Sequence, residues 1–295
     1  MHVVVSGASG LIGTALGTSL RADGHTVVAL VRREARDAHE SSWDPTTGRI
    51  DDAAIASADV VVNLAGASIG DKRLTESYQK VVLSSRVDST TTIAKAIAAV
   101  NPSAALLQGS SMGYYGDRGV EPLTERTPHG EGFLADISRQ WEASTEPALA
   151  AGSRVVYLRT GLVLAPHGGF AQRLLPLAKR GLIGALGDPA SLQAWISLVD
   201  QVRAMRFLID SDHRGAVNMV APHAVSSKDL VRSIASAYGH KPGLGVPAWI
   251  LQLVVGPAAD DLLASQNGVP GVLTRIGFEW THPTIGDAAG YIAER

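Results

Sequence analysis

Residues 3–13 read Val3-Val4-Val5-Ser6-Gly7-Ala8-Ser9-Gly10-Leu11-Ile12-Gly13, an apolar run followed by glycines at GxxGxxG spacing. This pattern predicts a buried strand, a tight turn and the start of a helix. Gly7 permits the sharp turn, Gly10 lets backbone amides approach a pyrophosphate, and Gly13 lets the helix pack closely on the strand. The helix N-terminus then faces the phosphates with free amides, so the stretch predicts a dinucleotide site.

Short β-branched runs alternate with helical patterns through the first two thirds of the chain. The predicted strands are Val3 to Ser6, Thr26 to Val31, Val60 to Leu64, Ala104 to Gly109 and Arg154 to Leu158. They are apolar throughout rather than alternating, as expected when both faces of a parallel sheet are buried. The predicted fold class is α/β, a Rossmann-type doubly wound parallel sheet with a smaller C-terminal lobe.

Helical spacing fills the intervals between these strands. The predicted helices begin near Leu11 and then cover Leu74 to Val100, Phe133 to Ala151, Asp200 to Asp210, Ser226 to Tyr238 and Pro247 to Ser265. We assign residues 1–215 to the Rossmann domain and 246–293 to a small helical domain, with 165–245 contributing to the substrate lobe. Trp249, Leu253, Leu262 and Leu263 form an apolar stripe on this small helical domain. The stripe predicts that the domain docks as a cap on the glycine-rich substrate lobe.

Composition excludes several classes of function. The 295 residues contain no cysteine, which rules out disulfides and thiolate metal sites, and a cytoplasmic protein is the default expectation. A net charge of −2 gives no basic field, so we expect neither a nucleic-acid nor a membrane partner. Met1-His2 leads directly into the first strand without the pattern of a secretory signal. The histidines show no metal-ligand spacing, and no pattern indicates an oligomeric state.

Two arginines follow the second predicted strand and bear on the choice of cofactor. An NAD-specific site usually offers a carboxylate to the ribose there, whereas this chain has Arg32 and Arg33. A guanidinium matches a phosphate through paired hydrogen bonds, so the pair predicts a 2′-phosphate and hence NADP(H). The alternative is a solvated pair of loop arginines.

Further motifs point to a family. They are Trp43-Asp44-Pro45, Asn63 to Gly66, Ser85 to Val87, Ser110 to Gly116, Trp141-Glu142, Arg159 to Leu164, Trp195-Ile196, Asn218 to Pro222 and a C-terminal set from Val246 to Pro283. With the glycine stretch they resemble the extended short-chain dehydrogenase/reductases of the NAD-dependent sugar epimerase group. They are most similar to the YfcH-like branch of epimerase family proteins, which ends in a small domain of unknown function.

The resemblance implies a set of cofactor contacts. They come from Gly7, Ser9, Gly10, Leu11, Ile12 and Gly13 at the pyrophosphate, Arg32 and Arg33 at the 2′-phosphate, Leu64, Ala65 and Gly66 at the adenosine half, and Arg86. For Arg86 the alternative is an ordinary surface arginine on a helix.

In catalytic members of the wider superfamily, a serine beside the substrate carbonyl works with a Tyr-x-x-x-Lys pair. Ser111 occupies the serine position, but residues 133–140, where the pair is expected, contain neither tyrosine nor lysine. Tyr114 and Tyr115 are the candidate replacements, and packing of the loop is the better interpretation for Tyr115. We interpret Trp141 as core or pocket wall and Glu142 as a structural hydrogen-bonding partner.

Two hypotheses follow from the sequence. In the first, the chain is an NADP(H)-dependent oxidoreductase or epimerase-like enzyme acting on a small carbonyl or sugar-like substrate. Ser111 then orients the carbonyl oxygen and Tyr114 donates the proton. In the second, the chain is a catalytically weak NADPH-binding sensor or scaffold, which the missing Tyr-x-x-x-Lys pair favours. No motif in the substrate lobe names the substrate.

Overall fold

The computed structural model describes residues 1–69, 72–168, 176–177, 180, 182, 184–185, 187–245, 249 and 263–294. Its centre is a seven-stranded sheet. The strands are β1 (His2–Ser6), β2 (Thr26–Val31), β3 (Glu40–Ser42), β4 (Val60–Asn63), β5 (Ala105–Ser111), β7 (Val155–Thr160) and β11 (Gly215–Met219). Their order is β11-β7-β5-β4-β1-β2-β3, and each neighbouring pair is parallel. The predicted fold class is therefore confirmed.

Helices cover the sheet, and short strand pairs lie beyond its carboxyl edge. The helices are α1 (Leu11–Ala22), α2 (Asp52–Ala56), α3 (Glu76–Val100), α4 (Phe133–Ala143), α5 (Glu146–Ala150), α6 (Leu198–Ile209), α7 (Ser227–Ala237), α8 (Gly271–Arg275) and α9 (Ile285–Ala293). The short strands are β6 (Pro122–Leu123), β8 (Leu162–Leu164), β9 (Leu192–Gln193), β10 (Trp195–Ser197), β12 (Val225–Ser226) and β13 (Asn267–Gly268). They pair as β8 with β10, β9 with β12 and β6 with β13.

The apolar strands fill two cores, one on each face of the sheet. Val3 and Val5 point into the core beneath α1 and α6, whereas Val4 points into the core beneath α2 and α3. Successive side chains of a strand alternate between faces, so a strand with helices on both sides must be apolar at every position. This requirement explains why the strands read as unbroken runs of valine and leucine.

The strand order reverses beside β1, which positions the site. From β1 the chain builds β2 on one side and returns to place β4 on the other. The loops that leave the carboxyl ends of β1 and β4 therefore diverge and open a crevice, which is where α/β folds bind their ligands.

One predicted helix needs correction, two strands were missed, and another predicted helix lies almost entirely outside the described residues. The helix predicted over Phe133 to Ala151 is wrong as one element, because a second helix begins at Glu146 and the Pro147 ring would clash with a carbonyl of a continuous helix. The short edge strand β3 and the opposite edge strand β11 were not predicted. The predicted helix from Pro247 to Ser265 falls almost entirely outside the described residues, although Trp249 is 66% exposed, which does not fit a buried stripe.

A buried carboxylate fastens the C-terminal segment to the Rossmann domain. Asp200, at the start of α6, is fully buried and accepts hydrogen bonds from the backbone N–H groups of Thr281 at 2.7 Å and His282 at 2.8 Å. The Ser197 hydroxyl donates to the same carboxylate at 3.1 Å.

Among the described residues, no helix combines the length and apolar character needed to cross a membrane.

Replacing Asp200 with alanine should destabilise the protein by roughly 2–4 kcal/mol, because buried N–H groups lose a charged acceptor. Urea unfolding followed by circular dichroism measures this loss, and hydrogen exchange should accelerate at residues 281–294. The control is Asp136→Ala, which removes an exposed carboxylate paired with Arg139 on α4 and should cost less than about 0.5 kcal/mol. Equal effects of the two substitutions would show that Asp200 is not the anchor.

Candidate functional site

The glycines of the first turn are required by close backbone contacts. Gly7 has a φ of +68°, and a Cβ built on it would lie 2.7 Å from the carbonyl oxygen of Leu64. A Cβ on Gly13 would lie 2.3 Å from the carbonyl oxygen of Gly7, closer than any side chain tolerates. The turn therefore brings β1, α1 and the loop after β4 together, and it leaves no room for a methyl group.

Helix α1 begins without a side-chain cap. Its N-cap residue is Gly10, which has no side chain to accept the amide hydrogens of the first turn. By contrast, the hydroxyls of Thr75, Ser197 and Ser226 cap α3, α6 and α7. Uncapped amides and the positive end of the helix dipole together suit an anion such as a pyrophosphate.

A buried polar network lies beneath the two loops. Asn63, fully buried at the end of β4, accepts a hydrogen bond from the Ser6 hydroxyl of β1. Its Nδ2 donates to Thr90 Oγ1 and to Gln108 Oε1, both at 3.0 Å. The backbone N–H of Ala65 donates back to Asn63 Oδ1 at 3.3 Å. The network thus fixes the segment Leu64 to Gly66 relative to the glycine turn.

Arg86 is a buried cation beside that segment. It is 9% exposed, so the alternative interpretation as a surface arginine is wrong. Its Nη1 donates to the carbonyl oxygens of Ala67 and Val82, both at 3.0 Å, and its guanidinium lies 4.9 Å from the Trp141 ring centroid. Burial lowers the pKa of Arg86 to about 10, so the group stays charged at neutral pH. No carboxylate among the described residues pairs with it.

Trp141, beside Arg86, carries a buried group without a hydrogen-bond partner among the described residues. Its Nε1 is buried and has no hydrogen-bond partner within the described part of the chain. The ring packs on Gly109 of β5, where a Cβ would lie 3.0 Å from two ring carbons. Among the described residues, a buried cation without a carboxylate lies beside a buried N–H without an acceptor, and this pair fits a site that a polar, anionic cofactor completes.

The two arginines after β2 differ in their surroundings. Arg33 forms a two-point ion pair with Glu40, with N–O distances of 2.6 and 2.7 Å. The hydrogen bond from Arg33 lowers the pKa of Glu40 to about 2, so the pair persists at any physiological pH. Arg32 makes no hydrogen bond or ion pair with the described residues. Arg32 is therefore free for a phosphate, whereas Arg33 is already neutralised.

Ser111 and Tyr114 lie on one short turn at the end of β5. A 3₁₀ turn, Met112–Tyr115, begins there, and the Ser111 hydroxyl accepts the backbone N–H of Gly113 at 2.9 Å. Leu134 of α4 packs against this turn, since a Cβ on Gly113 would lie 2.9 Å from Leu134 Cβ. The side of α4 facing the turn is thus apolar at this residue.

Tyr114 stacks on a buried arginine. The guanidinium carbon of Arg159, which is 5% exposed on β7, lies 3.5 Å from the Tyr114 ring centroid. The ring of Tyr115 meets that of Tyr114 edge to face at 5.3 Å. Tyr114 is therefore held by its ring on a positive charge.

Arg159 is the centre of a fully connected polar cluster. Its Nε and Nη2 donate to the two oxygens of Glu142, each at 2.9 Å, and Nη1 donates to the Tyr115 hydroxyl at 2.9 Å. That hydroxyl donates to Asn218 Oδ1 at 2.7 Å. Burial lowers the pKa of Arg159, but Glu142 outweighs this effect and the net direction is upward. Burial raises the pKa of Tyr115 to about 12.

These contacts agree with the structural interpretations of Tyr115 and Glu142. Sequence reasoning gave no role to Arg159 or Asn218, although a charged residue in the apolar run Val155 to Thr160 is a signal that a buried partner exists. In the described ranges, no group of three His, Asp or Glu side chains could hold a metal ion.

Fold and site together define a Rossmann-type protein of the extended short-chain dehydrogenase/reductase class. The chain belongs to the NAD dependent epimerase/dehydratase family, whose model matches residues 3–220. A second model, a domain of unknown function (DUF1731), matches residues 246–292.

Individual relatives are similar along the whole chain. The epimerase family protein Mb2239 of Mycobacterium bovis is 38% identical over 99% of this chain and 98% of its own length. The crystal structure of human epimerase family protein SDR39U1 (isoform 2) with NADPH has a TM-score of 0.89 at 29% identity and covers 100% of both chains. A nucleoside-diphosphate sugar epimerase from Corynebacterium glutamicum has a TM-score of 0.81 at 32% identity, covering 99% of this chain and 58% of that one.

Replacing Tyr115 with phenylalanine should lower the free energy of unfolding by about 1–3 kcal/mol, because Asn218 and Arg159 each lose a buried partner while the ring contacts remain. Chemical denaturation measures the loss. Tyr78→Phe, whose hydroxyl bonds to the carbonyl of Ser68 at the surface, is the matched control and should cost less.

The same variant has a predicted pH dependence. Because the folded pKa of Tyr115 is about 12 and an unfolded tyrosine ionises near pH 10, the unfolded chain loses its proton first. The stability that Tyr115 contributes is therefore complete below pH 10 and is lost as the pH rises toward 12. If the difference in the free energy of unfolding between the parent and Tyr115→Phe grew over this pH interval, the raised pKa of Tyr115 would be contradicted.

Proposed function

We propose that this chain is a cytoplasmic NADPH-dependent oxidoreductase or epimerase-like enzyme that acts on a small carbonyl or sugar-like substrate. The observation that carries the proposal is the glycine turn, which approaches the loop after β4 too closely for any side chain and leaves the amides of α1 uncapped. The crystal structure of human SDR39U1 contains NADPH, which supports the choice of cofactor.

Several parts of the cofactor would meet a matching group in the chain. The amides at the start of α1 would take the pyrophosphate, with Gly7, Ser9, Gly10, Leu11, Ile12 and Gly13 forming the turn. Leu64, Ala65 and Gly66 would border the adenosine half, and Arg32 would take the 2′-phosphate. Arg86 is charged and buried, and no carboxylate of the described residues pairs with it, so a polar group of the cofactor would complete its surroundings.

When bound, NADPH would supply a hydrogen with its electron pair for the reduction of a carbonyl carbon. Ser111 would orient the carbonyl oxygen, because its hydroxyl oxygen already accepts the Gly113 N–H and its own hydrogen is left to donate. Tyr114 would pass a proton to the same oxygen and recover one from solvent.

The cation beside Tyr114 is an arginine rather than a lysine. Arg159 lies against the Tyr114 ring, and Glu142 balances its charge. An arginine does not lose its proton in proteins, so Arg159 would hold the ring and would not relay protons. The proposed donor thus depends on ring stacking for its position.

The second hypothesis, an NADPH-binding sensor or scaffold with little turnover, has one observation in its favour. Leu134 of α4 packs against the Ser111 turn, and its side chain carries no proton to donate. Turnover measurements on the parent protein and on variants of Ser111 and Tyr114 separate the two hypotheses.

The parent protein should bind NADPH more tightly than NADH by roughly one to two decades, because a charge-assisted hydrogen bond contributes about 1.5–3 kcal/mol. Arg32→Ala should remove most of this preference and leave NADH affinity and the melting temperature unchanged. Calorimetric titration of both cofactors measures the affinities. Equal affinities in the parent would refute the phosphate assignment.

Removal of the Ser111 hydroxyl should lower carbonyl turnover by roughly two decades with NADPH affinity nearly unchanged, because a hydrogen bond aimed at developing charge is lost. Tyr114→Phe should cost a comparable factor, since the ring still stacks on Arg159. NADPH oxidation against a panel of aldehydes, ketones and oxidised sugars measures both effects.

Ser84→Ala is the control for this series, because that hydroxyl bonds to the carbonyl of Val81 on the exposed side of α3, and its removal should leave turnover unchanged. If the parent binds NADPH tightly but turns over no member of the panel, the sensor hypothesis replaces the enzyme hypothesis.

A further inference from the structure

A cavity of about 700 Å³ opens where β2 and β3 end. Its lining includes the arginines Arg32, Arg33 and Arg49, together with Trp43. The volume falls within the range of small-molecule sites. Arg49 comes from a part of the chain to which neither the sequence motifs nor the family resemblance assigns a ligand.

A closed hairpin brings Arg49 to this cavity. Asp44 and Arg49 exchange two backbone hydrogen bonds, Asp44 N–H to Arg49 O at 2.8 Å and Arg49 N–H to Asp44 O at 2.9 Å. The Asp44 carboxylate accepts the backbone N–H of Thr46 at 3.0 Å, and Gly48 has a φ of +72° that suits glycine. The hairpin is therefore a defined turn that returns the chain to the end of β3.

Strand pairing then places this hairpin next to Arg32. The Trp43 N–H donates to the carbonyl of Val31 at 3.0 Å, so the residues that follow β3 lie beside those that follow β2. Arg32 comes directly after Val31, and Asp44, the partner of Arg49, comes directly after Trp43. The two arginines thus reach the same cavity from adjacent strand ends.

Some charged side chains of the cavity have hydrogen-bond or ion-pair partners among the described residues, and others have none. Glu40 neutralises Arg33. The carboxylate of Asp44 is held by Thr46, and that of Asp51 accepts the N–H of Ala53 at the start of α2. Within the described residues, the guanidinium groups of Arg32 and Arg49 make no hydrogen bond or ion pair. Glu34 is the remaining acid of the lining, and its carboxylate likewise has no such partner.

We infer that Arg49 is a second cationic contact for the 2′-phosphate of NADPH, acting together with Arg32 while Arg33 takes no part. The inference rests on the proposed cofactor. A phosphate monoester carries a charge between −1.5 and −2 near pH 7 and offers three oxygens, so two guanidinium groups match it better than one. Glu34 opposes this attraction and limits it.

The test is calorimetric titration of the full chain with NADPH and with NADH. Arg49→Gln should weaken NADPH binding roughly tenfold and leave NADH binding within about twofold, because only the phosphate contact is removed. Arg49→Lys should fall between parent and Arg49→Gln. In the double variant Arg32→Ala/Arg49→Gln the preference for NADPH should vanish, and the two losses should not add, since both groups contact one phosphate.

Two controls fix the interpretation. Arg36→Gln removes an exposed arginine of the same loop that does not line the cavity, and it should change neither affinity by more than about twofold. Glu34→Gln removes the opposing charge and should strengthen NADPH binding several-fold without affecting NADH.

The outcomes distinguish this inference from the proposed function. If the parent shows no preference for NADPH, both the phosphate assignment and the contact from Arg49 are refuted. If the parent shows the preference, Arg32→Ala abolishes it and Arg49→Gln retains it, the contact from Arg49 alone is refuted. An equal loss of NADPH and NADH affinity in Arg49→Gln also refutes it, because the residue would then act on a part common to both molecules.

Discussion

The site depends on the contact between Gly13 and the carbonyl oxygen of Gly7, where a methyl group would lie 2.3 Å away. This contact seats the first turn of α1 directly on the end of β1, and the amides of that turn have no side-chain cap. Gly7 in turn touches the backbone of Leu64, which ties β1 to the loop after β4. The glycines thus let the backbones of these two loops approach closely at their base, next to the point where the strand order reverses.

The second constraint is electrostatic and lies on the other side of β4. An arginine inside an apolar strand is tolerable only if its charge and its donors are satisfied, and Arg159 satisfies them with both oxygens of Glu142 and the Tyr115 hydroxyl. This cluster joins α4, β7 and the turn after β5 into one unit. Tyr114 belongs to that unit through its ring, so the position of the proposed proton donor is set by a buried ion pair in a different part of the sequence.

The sequence was informative where local pattern alone determines structure. The glycine turn and the apolar strands follow from spacing and periodicity, and the structure has them within a few residues of their predicted ends. Pro147 is equally visible in the sequence, but the helical periodicity around it masks the break. Arg159 and Asn218 could not be assigned from the sequence pattern, because their hydrogen-bond partners lie 17 or more residues away. Arg49 could not be assigned because its importance depends on the lack of a partner among the described residues, which only the structure shows. The sequence also could not distinguish Arg32 from Arg33, because the difference between them is the ion pair that Glu40 forms with Arg33 across the loop.

Pairing among the arginines indicates where an anion would be expected. Arg159 and Arg33 each have a two-point carboxylate partner and gain little from a further negative group. Within the described part of the chain, Arg86 is buried beside two carbonyl oxygens and no carboxylate, and its lowered pKa reflects the unfavourable desolvation of that charge. A buried cation of this kind is more stable when an anionic or strongly polar ligand lies beside it, so binding and local stability should be coupled there. Arg32 and Arg49 are exposed, so they bear no such desolvation and would act mainly on selectivity between cofactors that differ by one phosphate.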